Sequence, residues 1–175
     1  PPGQDLALRR RGVVLEQWRQ GVGDTRTSMR VGVAGNVLNA SLAYGLKAPY
    51  FATISPDVLT MAPHHAEVVV RKRHRVANHL GTVHAIAICN GLEAAMGLVA
   101  EATCPPTSRW IPRGMQVRYL AKSTTDILCA AHTEPADWPV GDSGDVQVRV
   151  RARRRDGVVV VDGTITIYVS QRPQR

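Results

Sequence analysis

Asn78, His84 and Glu93 are the side chains best equipped for chemistry, and they sit in and just before one of the most apolar stretches of the chain, N-H-L-G-T-V-H-A-I-A-I-C-N-G-L-E. An asparagine both donates and accepts, an imidazole can donate from one ring nitrogen while accepting at the other, and a carboxylate can act as base or nucleophile. The residues from Thr82 to Ala102 are nearly all small or apolar, which predicts a helix that is buried on most of its circumference. The first N–H groups of such a helix, after Gly81, lack intrahelical partners and carry the positive end of its dipole, so they can polarise a carbonyl. Glu93 stands out because a carboxylate midway along an apolar helix is costly to desolvate unless it is paired or used. Activation of a carbonyl toward water is the chemistry these groups could share.

Each residue also has a purely structural alternative. Asn78 can turn the loop by bonding its own backbone. His84 can serve as a structural histidine near the helix start, and Glu93 can pair with an arginine such as Arg118 across a dimer interface. Asn90 lies one turn before Glu93, where it either orients that carboxylate or merely satisfies it.

The pattern Asn78-x-x-Gly81-Thr82-x-His84, with a carboxylate nine positions beyond the histidine, resembles the hotdog-fold thioesterases of the phenylacetic-acid-pathway type over roughly residues 50 to 170. The wording N-H-L-G-T-V-H-A-I-A also resembles the DUF4442-like branch of hotdog proteins. The resemblance implies hydrolysis of an acyl-CoA or acyl-carrier-protein thioester, with coenzyme A entering as part of the substrate and no separate cofactor. It makes Glu93 the nucleophile or general base, lets Asn78 position water or substrate, and has His84 orient the loop or bond near the carbonyl. The backbone N–H of Ala85 would polarise the thioester, with Gly81, Thr82 and Asn90 also lining the substrate. The site would lie at a homodimer interface, with further pairing into tetramers left open. Two departures stand out: the family usually has glycine directly after the histidine, where this chain has Ala85, and some members carry Ser or Thr on the next strand, where the nearest positions are Ile111 and Pro112.

Composition is that of a globular domain, with 44% hydrophobic and 21% charged residues among 175. Cys89, Cys104 and Cys129 are odd in number and widely spaced, which predicts reduced, buried thiols and no zinc site. No uninterrupted apolar run reaches the roughly 18 residues of a membrane span. The arginine-rich N-terminal stretch has no apolar region behind it, so a cytoplasmic protein is expected. The formal charge of +8 is mostly arginine. The run Arg71 to Arg75 and the face Arg149, Arg151, Arg153 could grip the phosphates of coenzyme A or an acidic carrier, or could simply be solvated. Nucleic-acid binding through the same strands would call for aromatic stacking that the sequence does not pattern there.

The elements that must hold the site follow from periodicity. Residues 1–48 are expected to form a helical arm, with helices near Val13 to Trp18 and from Ser28 to Leu46, and Tyr44, Tyr50 and Phe51 either capping an acyl tunnel or packing in the core. Residues 49–172 are expected to form the hotdog domain. Within it, a hairpin turns at Pro63-His64-His65, the long helix stops before Pro105-Pro106, and strands cover Met115 to Lys122, Ile127 to Thr133, Asp145 to Arg153 and Val158 to Val169. Asp156-Gly157 predicts a two-residue hairpin turn and Gly163 a bulge. The fold class is α+β, a central helix wrapped by about six antiparallel strands. A non-catalytic acyl-thioester or lipid binder on the same fold is the alternative that Ala85 and the missing hydroxyl favour.

Overall fold

The computed structural model describes residues 49–139 and 143–172; the expected N-terminal arm, with its two helices and Tyr44, lies outside the described residues. Six antiparallel strands form one sheet in the order β1-β2-β4-β5-β6-β3. They are β1 (Asp57–Ala62), β2 (His65–Val70), β3 (Ser108–Tyr119), β4 (Ile127–His132), β5 (Gly144–Arg154) and β6 (Val159–Gln171). Among the described residues one α-helix, α1 (Ala85–Thr103), packs mainly across β2 and β4, less against β1 and β5 and least against β6. This is the hotdog arrangement, and the expected α+β class holds.

The strands face the helix because their side chains alternate. Val68 and Val70 of β2, Ile127 and Cys129 of β4, Val146, Val148 and Val150 of β5, and Ile165 and Ile167 of β6 all turn inward and are buried. Opposite them α1 buries Ile88, Leu92, Met96 and Leu98, each worth about 1.5–3 kcal/mol of apolar transfer. The helix is long and apolar enough to cross a membrane by length and composition, but most of it is enclosed in this core. Gly91 lets it approach the sheet: a methyl group there would fall 2.6 Å from Val70 Cγ2 and 2.8 Å from Cys129 Sγ.

Four local expectations change. The helix begins at Ala85 rather than Thr82, because Val83 is drawn into an isolated bridge with Ala77 and its N–H donates to Ser123 O at 2.9 Å. β3 begins at Ser108, seven residues before the expected start, and absorbs Pro112 at an irregularity between Pro112 and Gly114. The β5–β6 turn has three residues: Arg154 N–H bonds Val158 O, Gly157 N–H bonds Arg154 O, and Gly157 takes φ 84°. Gly163 is no bulge; it sits in regular register between Val150 and Val117. Its need for glycine is close approach, since a Cβ would meet Gln116 O at 2.0 Å.

Candidate active site at the open face of the central helix

The loop before α1 is built on Asn78. Its Oδ1 accepts the N–H groups of Leu80 at 3.0 Å and Thr82 at 3.1 Å, and its Nδ2 donates to Thr82 Oγ1 at 3.0 Å. The backbone closes the same loop through Asn78 N–H to Thr82 O and Gly81 N–H to Asn78 O. Gly81 takes φ 68°, in the left-handed region where glycine carries no steric cost. Asn78 and Thr82 are therefore engaged with each other, and the asparagine does the turn-forming work its structural alternative described.

His84 is the helix cap. Its Nδ1 accepts the N–H of Ile86 at 3.1 Å, and its backbone carbonyl takes the first helical bond, from Ile88. Using Nδ1 as acceptor places the hydrogen of the neutral ring on Nε2, so the exposed imidazole offers a donor outward. The cap also decides which backbone donors remain. Ile86 N–H is taken, while the N–H groups of Ala85 and Ala87 have no protein acceptor among the described residues. The first free helical donor is thus Ala85 N–H, three residues later than a helix starting after Gly81 would have placed it.

Burial around α1 is uneven. Its second half, from Ala94 to Ala100, is buried throughout, but Ile86, Cys89, Asn90 and Glu93 form an open stripe on the first half. Their i, i+3, i+4, i+7 spacing puts all four on one side of the helix. Glu93 is half-buried there and has no hydrogen bond or ion pair to any described residue. Asn90 does not orient it, because the Asn90 Nδ2 donates to Tyr50 Oη at 3.4 Å. Arg118 projects from the other face of the sheet, where Asp162 of the same chain holds it at 3.1 and 3.2 Å.

Neighbouring segments extend the open stripe. Tyr50 comes from the 3-10 turn Pro49–Thr53, and Tyr119 from the end of β3, where its hydroxyl lies 3.2 Å from Cys89 Sγ. That hydrogen bond, with some burial, raises the Tyr119 phenol to about 12. Tyr50, Leu80, Ile86, Tyr119 and Leu120 are each more than half exposed. Phe51, by contrast, packs on the core, so the two aromatics before β1 divide between site and interior.

The cysteines also divide. Cys129 is fully buried and its thiol is pushed up by desolvation, and burial raises Cys104 to about 11. Cys89 and Cys104 are both only partly buried, and Cys89 lies on the open stripe, a position its apolar sequence neighbours hid. Among the described residues no three His, Cys, Asp or Glu side chains gather as a metal site. The basic run is partly consumed by structure: Arg71 bonds Asp57 at 2.6 Å and Asp126 at 3.3 Å, Lys72 N–H bonds Asp126, and Arg75 bonds the Ser55 hydroxyl. Ile111, where some hotdog enzymes carry a hydroxyl, is exposed on β3.

Comparison with known proteins agrees with this architecture. The family model described as domain of unknown function DUF4442 matches residues 38–169. A structural-genomics protein, target APC5556, is 40% identical with a TM-score of 0.72, covering 91% of this chain and 99% of its own. A thioesterase from Haemophilus influenzae shares 10% identity with a TM-score of 0.67, covering 86% of this chain and 96% of its own. A thioesterase family protein from Silicibacter pomeroyi shares 16% identity with a TM-score of 0.61, covering 78% of this chain and 99% of its own. The latter two likenesses are likenesses of fold. No curated protein matches the chain.

Proposed function

The chain belongs to the DUF4442 family, and from that membership and its hotdog fold we propose that it hydrolyses an acyl thioester. The observation that carries the reading is Glu93, a carboxylate without a partner among the described residues, on the open stripe of the helix whose first free N-terminal donor is Ala85. Fold relatives bearing the thioesterase name support it.

In the proposed reaction the Ala85 N–H donates a hydrogen bond to the carbonyl oxygen as it becomes an oxyanion. Glu93 takes a proton from water, the hydroxide oxygen bonds the carbonyl carbon, and the carbon–sulfur bond breaks as the thiolate takes up the proton. Direct attack by the carboxylate, through an anhydride that water then opens, uses the same placement. His84, with Nε2–H outward, is a second donor near the helix start. The acyl group is carried by coenzyme A or a carrier protein.

One chain does not bring these groups together, so the proposal includes a homodimer. β3 is a 12-residue edge strand with most of its residues exposed and no neighbour on its outer side among the described residues. Such an edge calls for pairing or cover. A second copy packed against the apolar stripe would shield Ile86, Tyr119 and Leu120 and dry the site.

The test is thiol release from a panel of acyl-CoA substrates by the purified chain and by Glu93→Gln. Loss of at least a hundredfold in kcat with KM little changed is expected. Equal rates in both proteins would overturn the assignment. A second reading, an acyl-thioester binder without turnover, draws on the Ala85 methyl at the position the resemblance reserves for glycine; saturable acyl-CoA binding with no Glu93-dependent hydrolysis would establish it instead.

A further inference from the structure

The face of the sheet turned away from α1 carries a second, chemically different site. On β5 the side chains of Val148, Val150 and Ala152 point into the core, so Arg149, Arg151 and Arg153 line up on the outer face. Strand register sets their neighbours. Arg149 lies between His132 of β4 and Thr164 of β6, Arg151 lies between Ala130 and Asp162, and Arg118 of β3 stands beyond Asp162. Because Ala130 and Gly163 are small where the surrounding residues are long, the rows enclose a concavity of ≈ 480 Å³. Four arginines line it against one carboxylate, Asp162.

The carboxylates within reach are already committed. Asp162 takes both hydrogen bonds from Arg118, and Arg149 is held by Asp137 at 3.1 Å. Arg151, although directly opposite Asp162, has no hydrogen bond or ion pair among the described residues. Arg153 is half-buried, and its Nε is buried with no acceptor among the described residues. A guanidinium cannot discard its charge, and a buried N–H without an acceptor is costly, so this pair lacks an anion. Planar guanidinium forks match phosphate oxygens two at a time.

We propose that this outer groove binds a small molecule bearing a diphosphate or triphosphate, with Arg151 and Arg153 as its principal contacts. Two cations side by side, both without a carboxylate partner among the described residues, match two adjacent phosphates better than one. The volume lies within the range of small-molecule sites. A second copy of the chain would bring the same arginines face to face, which like-charge repulsion opposes. A single-stranded nucleic acid would want exposed rings for stacking, whereas Tyr168 on this face is covered by the Arg113 guanidinium at 4.1 Å. The site is on the opposite side of the sheet from Glu93, so it stands or falls separately from the thioesterase reading.

The experiment is calorimetric titration of the full chain in 150 mM salt with tripolyphosphate, pyrophosphate, inorganic phosphate, ATP and coenzyme A, repeated on Arg151→Gln and Arg151→Lys. Saturable binding with affinity falling from tripolyphosphate to pyrophosphate to phosphate is expected, weakened at least tenfold by Arg151→Gln and less by Arg151→Lys, while Glu93→Gln leaves it unchanged. ATP and coenzyme A arms separate a free nucleotide from the diphosphate of a thioester carrier; either, if sensitive to Arg151, supports the site. No saturable binding of any of these anions, or binding indifferent to Arg151→Gln, overturns it. So does tighter Arg151-dependent binding of a 12-nucleotide single-stranded RNA than of tripolyphosphate. Arg151 is exposed, and matching circular dichroism would show that its variants fold.

Discussion

Ala85 and Glu93 occupy the same helix eight residues apart, which separates them by about 12 Å along its axis. A glutamate side chain cannot bridge that distance to a carbonyl bound at the Ala85 N–H. If both groups act on one thioester, they come from two chains, with the helix of a second copy running antiparallel across the open stripe.

Mixed oligomers test this composite site. Glu93→Gln and Ala85→Phe are each expected to abolish turnover alone. Mixed one to one and allowed to exchange subunits, they should recover about a quarter of wild-type activity, because half of the dimers are hybrids and each hybrid holds one intact site. A mixture no more active than its components would place both groups of a site in one chain.

His84 is expected to matter for stability before it matters for catalysis. His84→Ala removes the acceptor for Ile86 N–H and should cost about 1 kcal/mol, whereas His84→Asn, a good capping residue, should restore most of it. Urea midpoints measure the first effect. Turnover of the stable His84→Asn protein measures whether the outward Nε2–H contributes to the reaction.

Gly91→Ala should destabilise the fold by roughly 1–3 kcal/mol, because the added methyl meets Val70 Cγ2 and Cys129 Sγ well inside contact distance and helix and sheet must separate. Combining it with Cys129→Ala removes one of the two obstructions. Denaturation of the double variant should show less than the sum of the single losses.

Asp126 links three segments, accepting from Lys72 N–H at 2.9 Å, Arg155 at 2.9 Å and Arg71 at 3.3 Å, and the Lys72 bond in particular holds its carboxyl below the ordinary carboxylate value. A carboxylate depressed by folding stabilises above its unfolded pKa, and that stability is lost as pH falls through the folded value. The wild type should therefore lose stability on acidification from pH 5 to pH 2 by more than Asp126→Asn does, read as urea midpoints across that range. Parallel pH curves would remove Asp126 as a source of acid sensitivity.

The fold was largely legible because alternation and apolar runs are local properties. Val146, Val148, Val150 and Ala152 announce a one-sided strand, and Pro105-Pro106 ends the helix wherever it began. The start of α1 was less legible: Thr82 and Val83 have the composition of the helix, but Val83 is captured by Ser123 and Ala77, partners remote in sequence or conformation from the helical pattern. Met115 marked the regular end of β3 while Pro112 hid its beginning, since a proline on an edge strand forfeits no interior hydrogen bond. Cys89 and Tyr119 could not be linked by any pattern, being brought together only when β3 returns past the helix.

By itself the sequence determined a single helix in an antiparallel sheet, the spacing of Asn78, His84 and Glu93, and an arginine face on β5. Those follow from periodicities of two and 3.6 and from residue types. Tertiary structure decided that Asn78 is spent inside its loop, that His84 caps rather than merely precedes α1, that Glu93 is open while its second-half neighbours are buried, and that Arg118 pairs with Asp162, leaving Arg151 without a partner among the described residues. Each of these is a matter of which partner reaches a polar group first, and that is fixed by packing across the whole domain rather than by the identity of the next few residues.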